Sequence, residues 1–239
     1  MRVAVLVPTY EEAGNVEPLL RALREQVPDA TLMVIDDASP DGTADIAERV
    51  GEEIGGVDVF RRPTKDGLGN AYREGFGRAL AGGHDVLVTL DADFSHDPEV
   101  VPEMVAAVER GADLVIGSRY VPGGSTPNWP VHRRLLSRWG NRYTGWVLGI
   151  GVNDVTSGFR AYRADTLRAI RYETTQASGY AFMTELARRI DAEGAAIREV
   201  PITFRDRVRG TSKMSGRIIV ESMGRVTWWG VRDRVPRRR

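Results

Sequence analysis

Through the first half of the chain, short apolar runs rich in β-branched residues alternate with stretches of helical periodicity, and this alternation constrains the fold more than any other feature. The runs lie at Val3–Val7, Leu32–Ile35, Val57–Phe60, Val86–Leu90 and Leu114–Ile116. Each is short and apolar enough to be a strand buried on both faces. Helical patterns fill the gaps: one after Asn15, one after Asp41, one over Leu68–Leu80, and one opening at Asp97-Pro98-Glu99, where Asp caps and Pro takes the first helical position. Strands joined in this way predict βαβ units and an α/β fold with a mostly parallel sheet flanked by helices.

After Tyr120 the pattern changes. Val121–Pro127 is turn-forming, and the stretch Arg133–Leu148 reads as an amphipathic helix. Its apolar set of Leu135, Leu136, Trp139, Tyr143, Trp146 and Val147 recurs at helical spacing, with Arg134, Arg138 and Arg142 interleaved. Two readings are open for such a stripe: a core face, or a face laid on a membrane surface. A strand at Phe159–Tyr162, a helix around Tyr180–Ile190, a strand at Ile197–Phe204 and a final helix from Ser215 to Trp229 complete the pattern. The last of these carries Ile218, Ile219, Met223, Val226, Trp228 and Trp229 ahead of a basic end, so it poses the same choice between core and membrane.

No linker-like segment interrupts the 239 residues, which predicts one domain. Cysteine is absent, excluding disulfides, thiolate metal sites and a Cys nucleophile and making a reducing cytoplasm the simpler expectation. No basic-then-apolar signal region precedes the first strand, and no uncharged apolar stretch approaches the ~20 residues that span a bilayer, so a soluble product is expected. The formal net charge of zero conceals an asymmetry: residues 1–113 hold 23 acidic and 10 basic side chains, and residues 114–239 hold 10 and 23. Between Arg119 and Asn153 there is no Asp or Glu, yet Arg119, Arg133, Arg134, Arg138 and Arg142 fall there. The second half is built to meet anions.

In an open parallel sheet, ligands bind outside the carboxyl ends of the strands. Polar residues directly after the apolar runs are therefore the candidates: Pro8-Thr9-Tyr10-Glu11-Glu12, Asp36-Asp37, Asp91-Ala92-Asp93 and Gly117-Ser118-Arg119-Tyr120. In a locally extended backbone Asp91 and Asp93 project to the same side, and two carboxylates so close repel unless a cation sits between them. Mg2+ or Mn2+ suits that position, because hard cations combine one or two carboxylates with substrate phosphates. Taken alone, the pair reads equally as a solvated acidic turn. Asp41 reads best as a helix cap, whereas Asp37 can accept hydrogen bonds from a nucleobase or ribose. The usual phosphate loops are missing, since no Gly-x-x-x-x-Gly-Lys-Ser/Thr occurs and Gly67-Leu68-Gly69 lacks a third glycine.

These motifs in this order, together with Asp36–Thr43, Asp91–Pro98, Ser157-Gly158-Phe159-Arg160 and Asp206–Lys213, resemble the inverting family-2 glycosyltransferases of the GT-A (Rossmann-like) fold. Within them the match is to polyprenol-phosphate (dolichol-phosphate) mannose synthases, over nearly the whole chain. The resemblance implies that residues 1–118 form a nucleotide-sugar-binding half, 119–230 an acceptor- and membrane-facing half with C-terminal amphipathic helices, and 231–239 a basic tail. It implies that Pro8, Tyr10, Glu12, Ile35 and Asp37 hold guanosine and that Asp91-Ala92-Asp93 holds the metal and diphosphate. Ser95 is a weaker third ligand, its hydroxyl shorter than the Gln that some relatives carry there. Arg207 and Lys213 would bind the donor phosphates, and Arg119, Arg133 and Ser137 the acceptor phosphate, with Asp93, Arg119 and Arg207 central to catalysis. The partners so implied are GDP-mannose and a polyprenyl or dolichyl phosphate, without nucleic acid. The expected location is the cytoplasmic face of a membrane, held peripherally, which leaves room for a separate membrane-anchoring protein. Rivals are the same reaction with UDP-glucose or UDP-N-acetylhexosamine, an Asp-nucleophile phosphatase using Asp91, and a non-catalytic nucleotide-sugar-binding module.

Overall fold

A computed structural model describes residues 1–206 and 216–234. The chain runs β1 (Val3–Thr9), α1 (Val16–Gln26), β2 (Thr31–Asp36), α2 (Thr43–Ile54), β3 (Val57–Arg61), α3 (Leu68–Ala81), β4 (Val86–Thr89), α4 (Val101–Glu109) and β5 (Leu114–Ser118). It continues through α5 (Val131–Leu148), β6 (Arg160–Arg163), α6 (Ala164–Ala169), α7 (Tyr180–Ala192), β7 (Ile197–Pro201) and α8 (Gly216–Arg234). All seven strands join one sheet in the order β3-β2-β1-β4-β6-β5-β7, parallel except for β6, which lies antiparallel between β4 and β5. The expected strands are all present.

Strand alternation divides the core into two layers. On β1, Val5 and Val7 face α1, α2 and α4, meeting Leu19, Leu20, Val50 and Met104. The intervening Ala4 and Leu6 face α3 and α7, meeting Tyr72, Phe76, Phe182 and Leu186. The second layer closes tightly because α3 carries Gly75: a Cβ there would lie 2.5 Å from Ile35 Cδ1 and 2.7 Å from Leu6 Cδ2. At Asp97 the expected cap is seen, its carboxylate accepting from the Glu99 amide at 3.1 Å, with Pro98 opening a 3-10 turn that leads into α4.

Two features differ from the sequence reading, and a third decides a choice it left open. The six-residue α6 was not anticipated, being too short for a periodic signal. The last helix runs a turn beyond Trp229 to Arg234, so Val231–Arg234 are helical rather than the start of a tail; the rest of that tail lies outside the described residues. Most consequential, the apolar stripe of α5 faces outward: Leu135, Leu136, Trp139 and Trp146 are 60, 52, 57 and 72 % exposed. Asn141, Thr144, Gly145 and Val147 form the buried side. α8 packs on α5 where Gly230 lies so close that a Cβ would stand 2.7 Å from the Val147 carbonyl oxygen. Val226 and Trp229 are buried in the same small cluster, with Val147, Ala177 and Ala181. No described helix is long and apolar enough to cross a membrane.

Candidate active site

The ends of β1, β2 and β4 turn sharply, and each turn holds a non-glycine residue with positive φ: Glu11 at 57°, Ala38 at 56° and Phe94 at 58°. Such residues cost free energy and gather where a loop is held for a purpose. The holding is done by Asp36, which accepts from Thr9 Oγ1 at 2.9 Å, from the Ser39 amide at 2.9 Å and from Ser39 Oγ at 2.6 Å. Ser39 Oγ in turn accepts from the Glu11 amide at 3.0 Å, tying the first two loops together. Glu12 anchors the start of α1, taking Asn15 Nδ2 at 2.7 Å. Asp41, expected as a cap, accepts from the Thr43 amide at 3.2 Å and the Ala13 amide at 3.1 Å, while Gly42, at φ 80°, occupies the cap position itself.

Asp37 is buried against Arg62, whose guanidinium also reaches Asp66 and, at 3.1 Å, Glu74. Burial pushes the Asp37 carboxyl above its usual range, against the opposing pull of Arg62. Tyr10 lies under Lys65 Nζ, 3.2 Å from the ring centroid. Pro8 pairs in register with Ile35, whose side chain is buried in the core against Gly75, so only backbone atoms of Ile35 are available at the sheet edge.

The acidic motif sits in a turn rather than in extended backbone, because β4 ends at Thr89 and Phe94 reverses the chain. Asp93 is 2 % exposed and takes the Ser95 amide on Oδ1 at 3.0 Å, while the Asp91 side chain is 34 % exposed. Both line one cleft of about 570 Å³, and so do Ser95, Arg119, Arg133 and Ser137. The structure thus brings the proposed metal motif and the proposed anion receptors together. Two carboxylates of unequal exposure opening on a cleft fit a hard divalent cation that completes its shell with substrate oxygens. Among the described residues no group of three acidic, histidine or cysteine side chains forms a cage without substrate.

Arg119 is the best-anchored cation of the cleft. Its Nε and Nη2 donate to the two oxygens of Asp154, each at 2.7 Å, and Nη2 also donates to Thr156 Oγ1 at 3.0 Å. Asp154 is wholly buried, and its backbone amide donates to Glu199 Oε1 at 3.0 Å. Around the guanidinium stand the rings of Tyr120, Trp129 and Phe204. Gly124 is needed to fold the preceding turn back here, since a Cβ would meet Ser118 O at 2.6 Å. On α5, Ser137 Oγ accepts from the Tyr120 hydroxyl at 2.6 Å. Arg133 lies over the Trp129 ring at 4.0 Å and donates to Asp206 at 2.8 Å. Arg207 and Lys213 lie outside the described residues.

Under the cleft, the Ser157-Gly158-Phe159-Arg160 motif acts as a floor. Arg160 is fully buried and donates to the carbonyls of Ser157 at 2.7 Å and Met183 at 2.6 Å, and Thr89 Oγ1 donates to the Gly158 carbonyl at 2.8 Å. Sequence reasoning missed Asp154, Trp129 and the contact of Asp206 with Arg133. A signal for Asp154 was present: it is the first acid after the acid-free segment, and it pairs with the arginine that opens that segment. His96, also unassigned, is buried between Phe159 and Phe204 and faces Asp91 at 3.7 Å.

Comparison with known proteins agrees with this geometry. Residues 4–171 match the family model described as glycosyl transferase family 2. An undecaprenyl-phosphate mannosyltransferase of Micrococcus luteus is 49% identical over 98% of this chain and 96% of its own. A polyprenol monophosphomannose synthase of Mycolicibacterium smegmatis is 44% identical over 100% of this chain and 90% of its own. A dolichol-phosphate mannosyltransferase of Pyrococcus furiosus is 34% identical over 98% of this chain and 66% of its own. In fold, the chain matches a crystal structure of glucosyl-3-phosphoglycerate synthase from Mycobacterium tuberculosis in complex with Mn2+, UDP and glucosyl-3-phosphoglycerate. The TM-score is 0.66 at 21% identity, covering 99% of this chain and 81% of that one. With the mixed seven-stranded sheet, the acidic turn after β4 and these matches in hand, the chain belongs to glycosyl transferase family 2 and has the GT-A fold.

Proposed function

We propose that the chain transfers mannose from GDP-mannose to a polyprenyl monophosphate of the dolichyl type, with inversion at the anomeric carbon. The observation that carries this reading is that Asp91, Asp93, Arg119, Arg133 and Ser137 all line one cleft. The names of the relatives at 44 and 49% identity support the same acceptor class and sugar. A phosphate monoester, with a second pKa of about 6, is mostly a dianion at neutral pH and needs no base to become a nucleophile. One of its oxygens attacks C1 of the sugar while the bond from C1 to the GDP oxygen breaks, and the electron pair leaves with GDP.

The work left to the protein is placement and charge. Arg119, fixed by Asp154, and Arg133, braced on Trp129, offset the repulsion between acceptor and leaving group. Tyr10, Pro8, Glu12 and Asp37 receive the nucleoside at the ends of β1 and β2, with Ile35 contributing backbone. Asp91 and Asp93 would hold Mg2+ or Mn2+, with Ser95 at the margin of reach, and the bound ion would neutralise charge on the diphosphate. Arg207 and Lys213 are assigned to the same phosphates by the family motif alone. The outward Leu135, Leu136, Trp139 and Trp146 of α5 supply an apolar strip on which the protein rests at the cytoplasmic face of a membrane, bringing the cleft to its lipid acceptor.

The test is to incubate the protein with radiolabelled GDP-mannose, UDP-glucose or UDP-N-acetylglucosamine, a polyprenyl phosphate and Mg2+ or Mn2+, and to follow label into organic solvent. Transfer from GDP-mannose at least about tenfold faster than from either UDP-sugar is the expected result; preference for a UDP-sugar would replace the donor and leave the acceptor reading in place.

A further inference from the structure

His96 closes the acidic turn and is 2% exposed, yet the transfer reaction as derived above gives it no task. Its imidazole lies in an aromatic slot, with ring centroids 5.0 Å from Phe159 and 5.3 Å from Phe204, the second contact edge-on. Its neighbours in the chain are fixed as well: the Ser95 carbonyl accepts from the Arg205 amide at 3.3 Å, and Asp97 caps the turn that leads into α4. Such a slot suits a phenyl ring, and the imidazole brings two polar atoms into it. Nδ1 is buried with no hydrogen-bond partner among the described residues, and Nε2 faces Asp91 Oδ2 at 3.7 Å. A buried polar atom left unpaired costs free energy, so a histidine here calls for a compensating use.

With the ring proton on Nδ1, a donor would be orphaned in the slot and a lone pair would face a carboxylate. With the proton on Nε2, an N–H meets Asp91 and only an acceptor is left unpaired, so the second tautomer is favoured. The 3.7 Å gap is longer than a hydrogen bond, and an advance of roughly 0.8 Å brings it to the usual length. The ring, held between Phe159 and Phe204, has little room to make that advance, whereas the Asp91 side chain is 34% exposed. Asp93 has a donor of its own in the Ser95 amide at 3.0 Å. The two carboxylates are thus served differently, Asp93 by the backbone of its turn and Asp91 by a side chain.

We propose that His96 is a positioning residue for the divalent-cation site, its Nε2–H holding one oxygen of Asp91 and leaving the other for the ion. The inference rests on the assignment of Asp91 and Asp93 to Mg2+ or Mn2+. A hydrogen bond of this kind fixes the orientation of a ligating carboxylate, and its loss weakens metal binding by about 10- to 100-fold. It also gives the buried imidazole a return for the nitrogen it leaves unpaired.

The full chain is titrated with Mn2+ in the presence of GDP and again of UDP, with binding read by water-proton relaxation, so that the metal is followed apart from turnover and from the identity of the base. H96F keeps a ring in the slot and removes both nitrogens, and it should bind Mn2+ about tenfold more weakly than the wild type. The side-chain amide of Gln reaches the place of Nε2 and that of Asn only the place of Nδ1. H96Q should therefore stay within about threefold of the wild type, while H96N falls with H96F. In transfer assays the Mn2+ concentration giving half the maximal rate should move by the same factors, and the KM for polyprenyl phosphate by less than about twofold. A residue that merely fills the slot predicts the opposite order, with H96F nearest the wild type and H96Q below it, and that result overturns the proposal. If H96F does not fold, H96Q against H96N decides, and equal affinities overturn it. Mn2+ binding that D93A abolishes and H96F leaves intact overturns this inference alone. Absence of Mn2+ binding from the wild type and D93A alike removes the metal assignment, and the role of His96 with it.

Discussion

At the ends of β1, β2 and β4 the apolar residues are inside and the carboxylates stand at the edge, whereas in α5 Leu135, Leu136, Trp139 and Trp146 face outward and Asn141, Thr144 and Gly145 face in. The difference lies in what each region packs against. The strands are covered on both faces by helices, so their side chains only fill space. The inner face of α5 walls a polar site instead: Asn141 Oδ1 accepts from the Thr156 amide at 3.0 Å, and Ser137 holds Tyr120. A helix that turns its polar residues toward a catalytic cleft has its apolar residues left for the outside. Periodicity measures amphipathicity, and the neighbour decides which side is wet.

The sheet edge is broken most completely at Asp93. Asp93→Ala is expected to lower kcat/KM for sugar transfer by at least about a thousandfold, or more than about 4 kcal/mol, since it removes half of the proposed metal pair. Melting should shift by only a few degrees, because the Ser95 amide that Asp93 accepts lies within the same turn and no core packing depends on it. Near-normal turnover by a folded variant would remove the metal assignment.

The join between the two regions is the Arg119–Asp154 pair, where a cation of the acid-free segment meets an acid beyond it. Asp154→Ala removes the carboxylate that both Nε and Nη2 of a guanidinium only 10% exposed donate to, and is expected to cost about 3 kcal/mol in denaturant unfolding. Replacing both residues by uncharged ones should cost less than the single change. A stability loss below about 1 kcal/mol would show that Arg119 turns to solvent freely, and the fixed geometry argued for it would fall.

What was legible in the sequence follows the same division. Short buried strands declare themselves through β-branched runs, and strand ends declare their polar residues by position, so Asp91, Asp93, Asp37 and Arg119 could be named without coordinates. The antiparallel insertion of β6 was hidden because pairing partners leave no local trace, and Asp154, marked only as the first acid after the acid-free segment, was missed because its partner lies 35 residues away. Asp37 was legible as a strand-end acid, but its pairing with Arg62 belongs to a loop after β3 that no local pattern connects to β2. The α5 stripe was legible as amphipathic and left open between core and surface; only the packing of its polar face resolved it.

That resolution can itself be broken by a matched pair of truncations. Leu20→Ala in α1 removes a fully buried side chain and is expected to cost about 2 to 4 kcal/mol, whereas Leu136→Ala, at 52% exposure, should cost under about 0.5 kcal/mol. Equal losses in thermal or urea unfolding would mean that α5 is covered by something in solution, such as a second copy of the chain. Vesicle flotation supplies the complementary readout, since Leu136→Ala should weaken it and Leu20→Ala should not.

Among the effects on turnover the smallest belongs to Arg133, which lines the cleft from α5. Its pair with Asp206 is 43% and 48% exposed, so losing it should barely alter folding. It lies over Trp129 and lines the cleft with Ser137, which is the position from which we propose that it receives the acceptor phosphate. Arg133→Ala is therefore expected to raise the KM for polyprenyl phosphate about tenfold, near 1.4 kcal/mol, while the KM for GDP-mannose moves by less than about twofold. Arg133→Lys should recover only part of the loss, because an ammonium supplies charge without a planar fork. If the donor KM rises instead, Arg133 faces the leaving diphosphate, and the division of the cleft into an acidic donor side and a cationic acceptor side must be redrawn with Arg119 as its boundary.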